Sequence, residues 1–378
     1  MNISTRKSNH IFDYVIVGSG LSGLAIATAL SKETQNILLI DGADFPGGHN
    51  RAIPTPLGPQ NNGLRFLPAT ELSIKAIDFL SSVIGEKIGF ETTENPALTY
   101  EDGQVKSFLG FGDQPPAFYD EISYFTAPKT LKPDLDTHEW IQKLIQQYQG
   151  EFLLRSHVTK FVTENDRVTQ VLVNGQKIVQ GTNFIYCGPI KTLKPLLPEG
   201  ALNFRALQKM SKTKYWTAVC LDLLHAKQVT QETAIHILNG TTHDEVGPCA
   251  GLFQEAANLN GESVQYSQWM SFIDDQDAEE SENIAAALKK MKKQIKRAYP
   301  EALENLKFER ILVVPSLIGD GDLKLTGQQT LGSIENLWIG SPSVHPQQNI
   351  VGALLQAEMV LAALGFREAS VQNQSVSL

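Results

Sequence analysis

Three glycines and one carboxylate near the N-terminus have the spacing of a phosphate-binding loop. Gly18, Gly20 and Gly23 form the pattern G-x-G-x-x-G, and Asp41 follows 18 residues after Gly23. In such a loop the first glycine permits a tight turn, the second lets the backbone approach a pyrophosphate, and the third lets a helix pack closely on a strand. The carboxylate is placed to accept a hydrogen bond from a ribose hydroxyl. The chemistry indicated is the binding of an adenine dinucleotide.

The residues around this loop predict the elements that must position it. Residues 12–17 form a short apolar run typical of a strand, residues 21–32 have helical composition, and residues 36–41 predict a second strand. A glycine loop between a strand and a helix is the context that makes the pattern specific. The helix N-terminus offers free N–H groups to the phosphates, so Leu21 and Ser22 are also predicted to bind the cofactor.

The turn after Asp41 reads Pro-Gly-Gly-His-Asn-Arg over residues 46–51. Together with the glycine loop and the acidic strand end, it resembles the flavin-containing amine oxidase superfamily, which includes protoporphyrinogen oxidases and phytoene desaturases. In that family the segment lies along the pyrophosphate and ribityl chain of FAD. His49 stands where the family usually has arginine, and Arg51 is its expected replacement. The resemblance implies FAD contacts from Gly42, Gly47, Gly48, His49 and Arg51.

Three further segments extend the resemblance along most of the chain. Residues 59–68 are similar to the segment that passes the flavin ring, which points to Gly63, Leu64 and Arg65. Residues 153–189 resemble a hairpin block in which Val158 offers backbone hydrogen bonds to adenine. Residues 335–364 resemble the closing strand, loop and helix of the family. That last match implies contacts to the ribityl chain and the pyrimidine edge from Gly340, Ser341, Ile350, Val351 and Gly352.

The candidate catalytic residues are His345, Arg65 and Lys214. A neutral histidine exchanges protons near pH 7, so His345 is the predicted acid or base. Arg65 is the candidate for anchoring a substrate anion or the O4 region of the flavin. Lys214 lies close to the place of the family lysine near flavin N5, although the best register puts Thr217 there. Since neither that lysine nor an aromatic cage is clearly retained, the desaturase or protoporphyrinogen oxidase side is favoured over simple amine oxidation.

The implied function is that of an FAD-dependent oxidoreductase. It would dehydrogenate a C–N or C–C bond of a small or medium organic molecule by hydride transfer to flavin N5, and pass the electrons to dioxygen or another acceptor. Two alternatives stay open: a flavin-dependent nucleotide-sugar mutase, and a non-catalytic FAD-binding protein. Four large aromatics are candidates either for lining a substrate pocket or for filling a core, namely Phe111, Phe118, Trp216 and Trp269.

Composition narrows the function classes. The 378 residues are 42% hydrophobic and 19% charged, with a formal net charge of −9, which argues against nucleic-acid binding. The three cysteines form no C-x-x-C pair, so neither a disulfide framework nor a metal site is expected. The polar N-terminus and the lack of a long apolar run predict a cytoplasmic protein without membrane spans. Nothing in the sequence specifies the oligomeric state.

The order of these segments predicts an α/β protein with a Rossmann-type FAD-binding domain. A mixed α+β substrate domain is inserted in two pieces. The FAD-binding domain is expected over 1–69, 145–205 and 326–368, the substrate domain over 70–144 and 206–325, and a flexible tail over 369–378. A helix over 281–298 carries six basic residues. They are interpreted as a solvated face, with contact to a membrane surface as the alternative.

Overall fold

The computed structural model describes residues 10–113, 115–239, 248–320, 325, 328–332 and 334–366. The predicted tail (369–378) and residues 1–9 of the polar N-terminus lie outside the described residues. The α-helices of the described chain are α1 (Leu21–Leu30), α2 (Glu71–Ile84), α3 (Tyr119–Ser123), α4 (Thr137–Gln147), α5 (Ile190–Leu193), α6 (Phe204–Lys212), α7 (Ser281–Ala298) and α8 (Ile350–Ala363).

The strands are distributed over the whole chain. They are β1 (Ile11–Val17), β2 (Ile37–Ile40), β3 (Ala52–Thr55), β4 (Gly58–Asn61), β5 (Phe90–Glu94), β6 (Leu98–Glu101), β7 (Gln104–Ser107), β8 (Lys129–Pro133), β9 (Glu151–Leu153), β10 (Val158–Glu164), β11 (Arg167–Val173), β12 (Lys177–Tyr186), β13 (Lys214–His225), β14 (His236–Leu238), β15 (Cys249–Phe253), β16 (Ala257–Leu259), β17 (Glu262–Asp274), β18 (Leu306–Asp320) and β19 (Leu337–Ile339).

The first sheet is the predicted nucleotide-binding sheet. Its order is β10-β11-β12-β1-β2-β9, and β19 pairs with β12. The pairings β12–β1, β1–β2, β2–β9 and β12–β19 are parallel, whereas β10, β11 and β12 form antiparallel pairs. The turn from β11 to β12 lies within the predicted hairpin block (153–189), with Asn174 and Gly175 at φ of 51° and 73°. The predicted Rossmann-type α/β architecture is confirmed.

Helices α1, α2, α4 and α8 share one hydrophobic core with this sheet. All ten residues of α1 are buried, and such all-round apolar character is typical of a helix enclosed by other elements. Trp140 and Leu144 of α4 and Leu80 of α2 lie in the same core as Leu24 of α1. The predicted division gave residues 70–144 to the substrate domain, and it stays a prediction. Within that range, α2 and the start of α4 share the core of the nucleotide-binding elements.

The second sheet has the order β18-β13-β17-β15-β14-β6-β7, with β13 between its two long neighbours. One face packs on α7, and Leu221 shares a hydrophobic core there with Met291 and Ile295. Side chains point to alternate faces of a strand, so Trp216, Ala218 and Cys220 of β13 lie on the other face, in a core with Leu64 and Phe66. Helix α7 is amphipathic as predicted. Among the described residues, no helix combines the length and apolar character needed to cross a bilayer.

Candidate dinucleotide-binding site

The glycine loop joins β1 to α1 in the geometry that its spacing predicts. Gly18 has φ +103°, a conformation that favours glycine. A Cβ built on Gly23 would stand 1.9 Å from the carbonyl oxygen of Gly18, so helix and loop touch there. Around Gly20, by contrast, a Cβ would meet no atom within 4 Å. Gly20 is also the N-cap of α1 and provides no side-chain hydrogen bond, so the start of the helix faces open space.

Asp41 organises the loop from the end of β2. Its Oδ2 accepts hydrogen bonds from the Ser19 amide at 2.6 Å and the Ser19 hydroxyl at 2.7 Å. Its Oδ1 accepts a hydrogen bond from the Ala43 amide at 2.8 Å. A carboxylate has about four acceptor positions, so capacity for a ribose hydroxyl remains. Asp41 therefore fixes the turns on both sides of the predicted ribose position.

The second glycine segment lies directly against the first. Gly47 and Gly48 have φ of +115° and +54°. The Gly47 amide donates to the Ser19 carbonyl at 2.8 Å, and a Cβ on Gly48 would stand 3.1 Å from the Cα of Gly20. We call the surface formed by the five residues Gly18, Gly20, Gly23, Gly47 and Gly48 the glycine cradle.

The two basic side chains after the cradle differ in their surroundings. Arg51 places Nη1 3.7 Å from Oδ1 of Asp44, and both residues line a surface cavity of about 600 Å³ together with Phe45 and Ile141. The surroundings of His49 lower its pKa, first through loss of solvation and then through the positive charges of Arg65 and Arg51. His49 is therefore neutral at pH 7. The predicted contacts of His49 and Arg51 with a pyrophosphate stay predictions.

Arg65 closes the loop that begins at His49. Its Nε donates to Oδ1 of Asn50 at 3.1 Å, Nη1 donates to the Leu64 carbonyl at 3.0 Å, and Nη2 donates to the His49 carbonyl. All three guanidinium nitrogens thus bind within residues 49–65. The structure gives Arg65 the role of a clasp on this loop, and the anchoring of a substrate anion by Arg65 stays a prediction.

The predicted flavin-side segment crosses the face of the second sheet. Gly63 has φ +76°, and a Cβ there would stand 3.0 Å from Sγ of Cys220. Leu64 is buried. Asn62 is 7% exposed, and its Oδ1 is buried without a hydrogen-bond partner. A buried acceptor of this kind is costly unless something donates to it, so it fits an N–H donor on a bound ring.

The closing strand and loop meet α1 at buried contacts. The Ser22 hydroxyl donates to the Gly340 carbonyl at 2.5 Å, and the buried Ser341 accepts from the Ser343 amide through its hydroxyl. A Cβ on Gly340 would stand 2.8 Å from Sγ of Cys187. Burial raises the pKa of the Cys187 thiol to about 12. Gly340, Ser22 and Cys187 therefore join β19 to α1, and the Ser22 hydroxyl already has a partner.

Helix α8 differs from α1 because it has its own cap. Oδ1 of Asn349 accepts from the amides of Val351 at 2.9 Å and Gly352 at 3.3 Å. A Cβ on Gly352 would stand 1.4 Å from the Gln347 carbonyl oxygen, so only glycine fits there. A ligand that uses these amides has to share them with Asn349. The contacts predicted for Ile350, Val351 and Gly352 stay predictions.

Sequence reasoning missed His157, which lies near the predicted adenine position. Val158 begins β10 and pairs with Val173, and the exposed His157 precedes it. A Cβ built on Gly42 would stand 2.3 Å from Cε1 of His157, so the imidazole covers the backbone immediately after Asp41. Two features of the sequence could have indicated this contact. Gly42 directly follows Asp41, and His157 directly precedes Val158.

The catalytic candidates occupy separate places. Nδ1 of His345 accepts from the Gln347 amide at 3.0 Å, and burial lowers the pKa of His345. Lys214 has Nζ 4.2 Å from the Trp216 ring centroid and 3.7 Å from Oδ2 of Asp274. No contact within the described chain joins His345, Lys214 and Arg65. Their predicted catalytic roles have no further support from these contacts.

The large aromatics divide between the two faces of the second sheet. Phe118 lies 5.6 Å from Trp216, measured between ring centroids, and both belong to the core that includes Leu64. Phe111 packs at the edge of that core. Trp269 packs instead against Phe253, 5.5 Å between centroids, on the face covered by α7. Trp269 is therefore a core residue away from the flavin-side segment.

Comparison with known proteins agrees with this architecture. Residues 16–72 match the family of NAD(P)-binding Rossmann-like domains. Hydroxyneurosporene desaturase from Rhodobacter capsulatus is 39% identical over 51 residues, which are 14% of this chain and 10% of that protein. The enzyme of the same name from Cereibacter sphaeroides is 32% identical over 82 residues, which are 22% of this chain and 16% of that protein. The matched sequence thus spans less than a fifth of these relatives.

Solved structures extend the likeness over nearly the whole chain. An oxidoreductase from Methanosarcina mazei superposes with a TM-score of 0.66 at 12% identity, covering 92% of this chain and 99% of that one. Wild-type putrescine oxidase bound to putrescine gives 0.64 at 12% identity, covering 95% and 100%. These structures establish the fold. The short desaturase matches agree with the resemblance to the flavin-containing amine oxidase superfamily that the motifs predicted.

Proposed function

We propose that the chain is an FAD-dependent oxidoreductase that dehydrogenates a C–N or C–C bond of a small or medium organic molecule, by hydride transfer to flavin N5 and onward transfer to dioxygen or another acceptor. The observation that carries the proposal is the glycine cradle. Two segments about 25 residues apart, each read from sequence as an FAD contact, touch at Gly20 and Gly48 beside the uncapped start of α1.

The chain's own residues fit such a cofactor. The amides of the first turn of α1 would bind the phosphates, because they carry partial positive charge and no side chain caps them. Asp41 would accept from a ribose hydroxyl. At the other end, the unpaired Oδ1 of Asn62 would accept from a ring N–H.

Apolar side chains of the second sheet would keep water from the reacting region. Phe118, Trp216 and Phe272 pack together on the face that Gly63 and Leu64 cross. Exclusion of water strengthens the electrostatic interactions within a site and suppresses side reactions. The substrate is therefore expected to approach from this apolar side.

The decisive experiment is purification followed by incubation with FAD and removal of free cofactor. Retained flavin absorbance, released by heat as FAD, is the expected result. Anaerobic photoreduction and mixing with dioxygen or a quinone then identify the acceptor class. Protein that remains colourless after incubation contradicts the proposal.

A second candidate function, a non-catalytic FAD-binding protein, has one observation in its favour. The face next to Gly63 is filled by the chain's own side chains, since Cys220, Met270 and Trp216 are buried against the segment. A substrate has to displace some of them. Reduced flavin that reoxidises slowly with every acceptor would support this second function, whereas fast reoxidation by one acceptor supports the oxidoreductase.

A further inference from the structure

Three polar side chains form a row across the middle of the second sheet. In the strand register Asp222 of β13 pairs with Gln268 of β17 on one side and with Arg310 of β18 on the other. Nε2 of Gln268 donates to Oδ1 of Asp222 at 3.3 Å, and Nη2 of Arg310 donates to Oδ2 at 2.5 Å. We call these three residues the Asp222 row.

The row is buried, with the Tyr266 hydroxyl 3.5 Å from Nη2 of Arg310 on one side and apolar side chains on the other. The side chain of Asp222 is 0% exposed and that of Arg310 is 15% exposed. The next positions along the strands are Met270, Cys220 and Leu312. An ion pair in such a place costs desolvation and adds little net stability compared with apolar residues. Stability alone therefore does not account for it.

Both outer members of the row bind the backbone of the β3–β4 hairpin. Nη1 of Arg310 donates to the Pro54 carbonyl at 3.3 Å, and Nε2 of Gln268 donates to the Asn61 carbonyl at 3.1 Å. The side chain of Asn61 is held in turn, because its Oδ1 accepts from the hydroxyl of Thr137 at 2.9 Å and the amide of His138 at 3.2 Å. The hairpin is thus fixed between the second sheet and the start of α4.

This hairpin connects the two segments that are expected to hold FAD. It begins one residue after Arg51 and ends one residue before Asn62. The Arg65 clasp closes the connection at its base through His49 and Asn50. The positions of Asn62 and Gly63 therefore depend on where the hairpin is held.

We propose that Asp222 is a positioning residue, which orients Gln268 and Arg310 so that they hold the hairpin and set the place of the flavin-side segment 62–65. The proposal rests on the proposed function, since it assumes that this segment faces a bound flavin. Asp222 acts through its two neighbours. Its carboxylate fixes the direction of the Gln268 amide and of the Arg310 guanidinium, and each presents a remaining N–H to a hairpin carbonyl.

Arginine is needed at position 310 because the contact is forked. One guanidinium nitrogen binds Asp222 and the other binds Pro54. A lysine keeps the charge but presents a single ammonium that does not reproduce this fixed geometry. Gln268→Met keeps the volume of the side chain and removes both of its hydrogen bonds. These two variants therefore remove the positioning contacts while Asp222 stays in place.

The test measures FAD affinity and the circular dichroism of the bound flavin for wild type, Gln268→Met and Arg310→Lys. Each variant is expected to raise the FAD dissociation constant about tenfold and to change the flavin dichroism, which reports the asymmetry of the ring's surroundings. Asp222→Asn is expected to raise the FAD dissociation constant and to change the flavin dichroism as well. The matched control is Glu309→Gln, which removes the negative charge from the 2.7 Å ion pair with Lys292 of α7, one residue along the same strand, and should leave both measurements as in wild type.

Two outcomes overturn the inference in distinguishable ways. Suppose that the wild type retains FAD and that Gln268→Met and Arg310→Lys have the same FAD dissociation constant and flavin dichroism as the wild type. The positioning role is then wrong and the proposed function stands. If wild type itself retains no FAD, the proposed function fails and the inference fails with it. Should Arg310→Lys not fold, the isosteric Gln268→Met decides the matter, because it leaves the ion pair intact.

Discussion

Gly48 stands against Gly20, so closely that a Cβ on Gly48 would lie 3.1 Å from the Cα of Gly20. The two residues come from different turns, one before α1 and one after β2. Their contact makes a single surface from two short motifs. The glycines of the cradle serve different purposes, and substitutions at Gly20 and Gly23 should separate them.

Replacement of Gly20 by alanine should abolish cofactor binding without unfolding the protein. Its φ of −66° with extended ψ suits any residue, and a Cβ meets nothing within 4 Å. We expect stability of the cofactor-free protein to change by less than about 1 kcal/mol. The methyl group would fill the space reserved for the pyrophosphate and raise the FAD dissociation constant more than about tenfold. Fluorescence titration and thermal unfolding measure the two effects.

Gly23→Ala provides the contrast. Its Cβ would overlap the Gly18 carbonyl oxygen at 1.9 Å, which forces α1 away from the loop. We expect a loss of about 1–3 kcal/mol in the free energy of unfolding, the usual range for overpacking. Wild-type FAD affinity in Gly20→Ala, or wild-type stability in Gly23→Ala, would show that the cradle is misassigned.

The ring of His157 should contribute to recognition of the adenine half. It covers Gly42 between the predicted ribose and adenine contacts, Asp41 and Val158. His157→Ala should weaken binding of ADP by about 0.5–1.5 kcal/mol, the scale of ring stacking, and His157→Phe should restore it. Gly42→Ala should act like His157→Ala, since its methyl group displaces the ring. Calorimetric titration with ADP decides, and equal affinity in all four proteins refutes the role.

Arg65 should stabilise the loop that it closes. Hydrogen bonds to charged groups contribute about 1.5–3 kcal/mol each, so the loss of the fork in Arg65→Lys should lower stability by roughly 2 kcal/mol. Amide hydrogen exchange should accelerate within residues 47–66. Arg167→Lys is the control, because its guanidinium meets Glu335 at 2.9 Å on the exposed surface, where such pairs contribute about 1 kcal/mol or less. Unchanged exchange in Arg65→Lys would argue against a clasp.

Acid should destabilise the second sheet through two buried histidines. Burial lowers the pKa of His225 and of His236 to about 4 from 6.5. The unfolded chain therefore takes up protons at a higher pH than the folded chain. The stabilisation is fully present above pH 6.5 and is lost as the pH falls toward about 4. Each histidine should account for roughly 3 kcal/mol across this window, at about 1.4 kcal/mol per pKa unit.

His236→Phe tests this acid sensitivity. The variant should flatten the dependence of unfolding free energy on pH between 6.5 and 4, as measured by urea denaturation. Tyr299→Phe is the control, since it removes the hydroxyl that lies 2.5 Å from Nε2 of His236 and leaves the titrating ring. An equally steep pH dependence in wild type and His236→Phe would exclude His236 as a source.

The sequence predicts the local units of this fold well. The glycine loop, its flanking strands, the hairpin at Asn174 and Gly175, and helix α7 all agree with the structure. Each is encoded by neighbouring residues, through glycine conformation, apolar periodicity or turn chemistry. The family resemblance places both glycine segments along the pyrophosphate, and the structure adds the direct contact between Gly48 and Gly20.

The sequence does not reveal the contacts that depend on strand register or on which partners a long side chain binds. The sequence alone does not distinguish Trp216 from Trp269, but the pairing of β13 with β17 places them on opposite faces of the second sheet. Asp222 and Arg310 lie 88 residues apart and become neighbours only through sheet register. The fork of Arg65 suits a ligand or a backbone equally well, and the fold decides for the backbone.

The hydrogen bond from Ser22 to Gly340 spans 318 residues. Ribosomal synthesis therefore produces the first half of this contact long before the second. All ten residues of α1 are buried in the folded protein. Before β19 and α8 are synthesised, part of the structure that buries them is missing. The packing of α1 against Gly340 and α8 is therefore completed only after residues far along the chain have been synthesised.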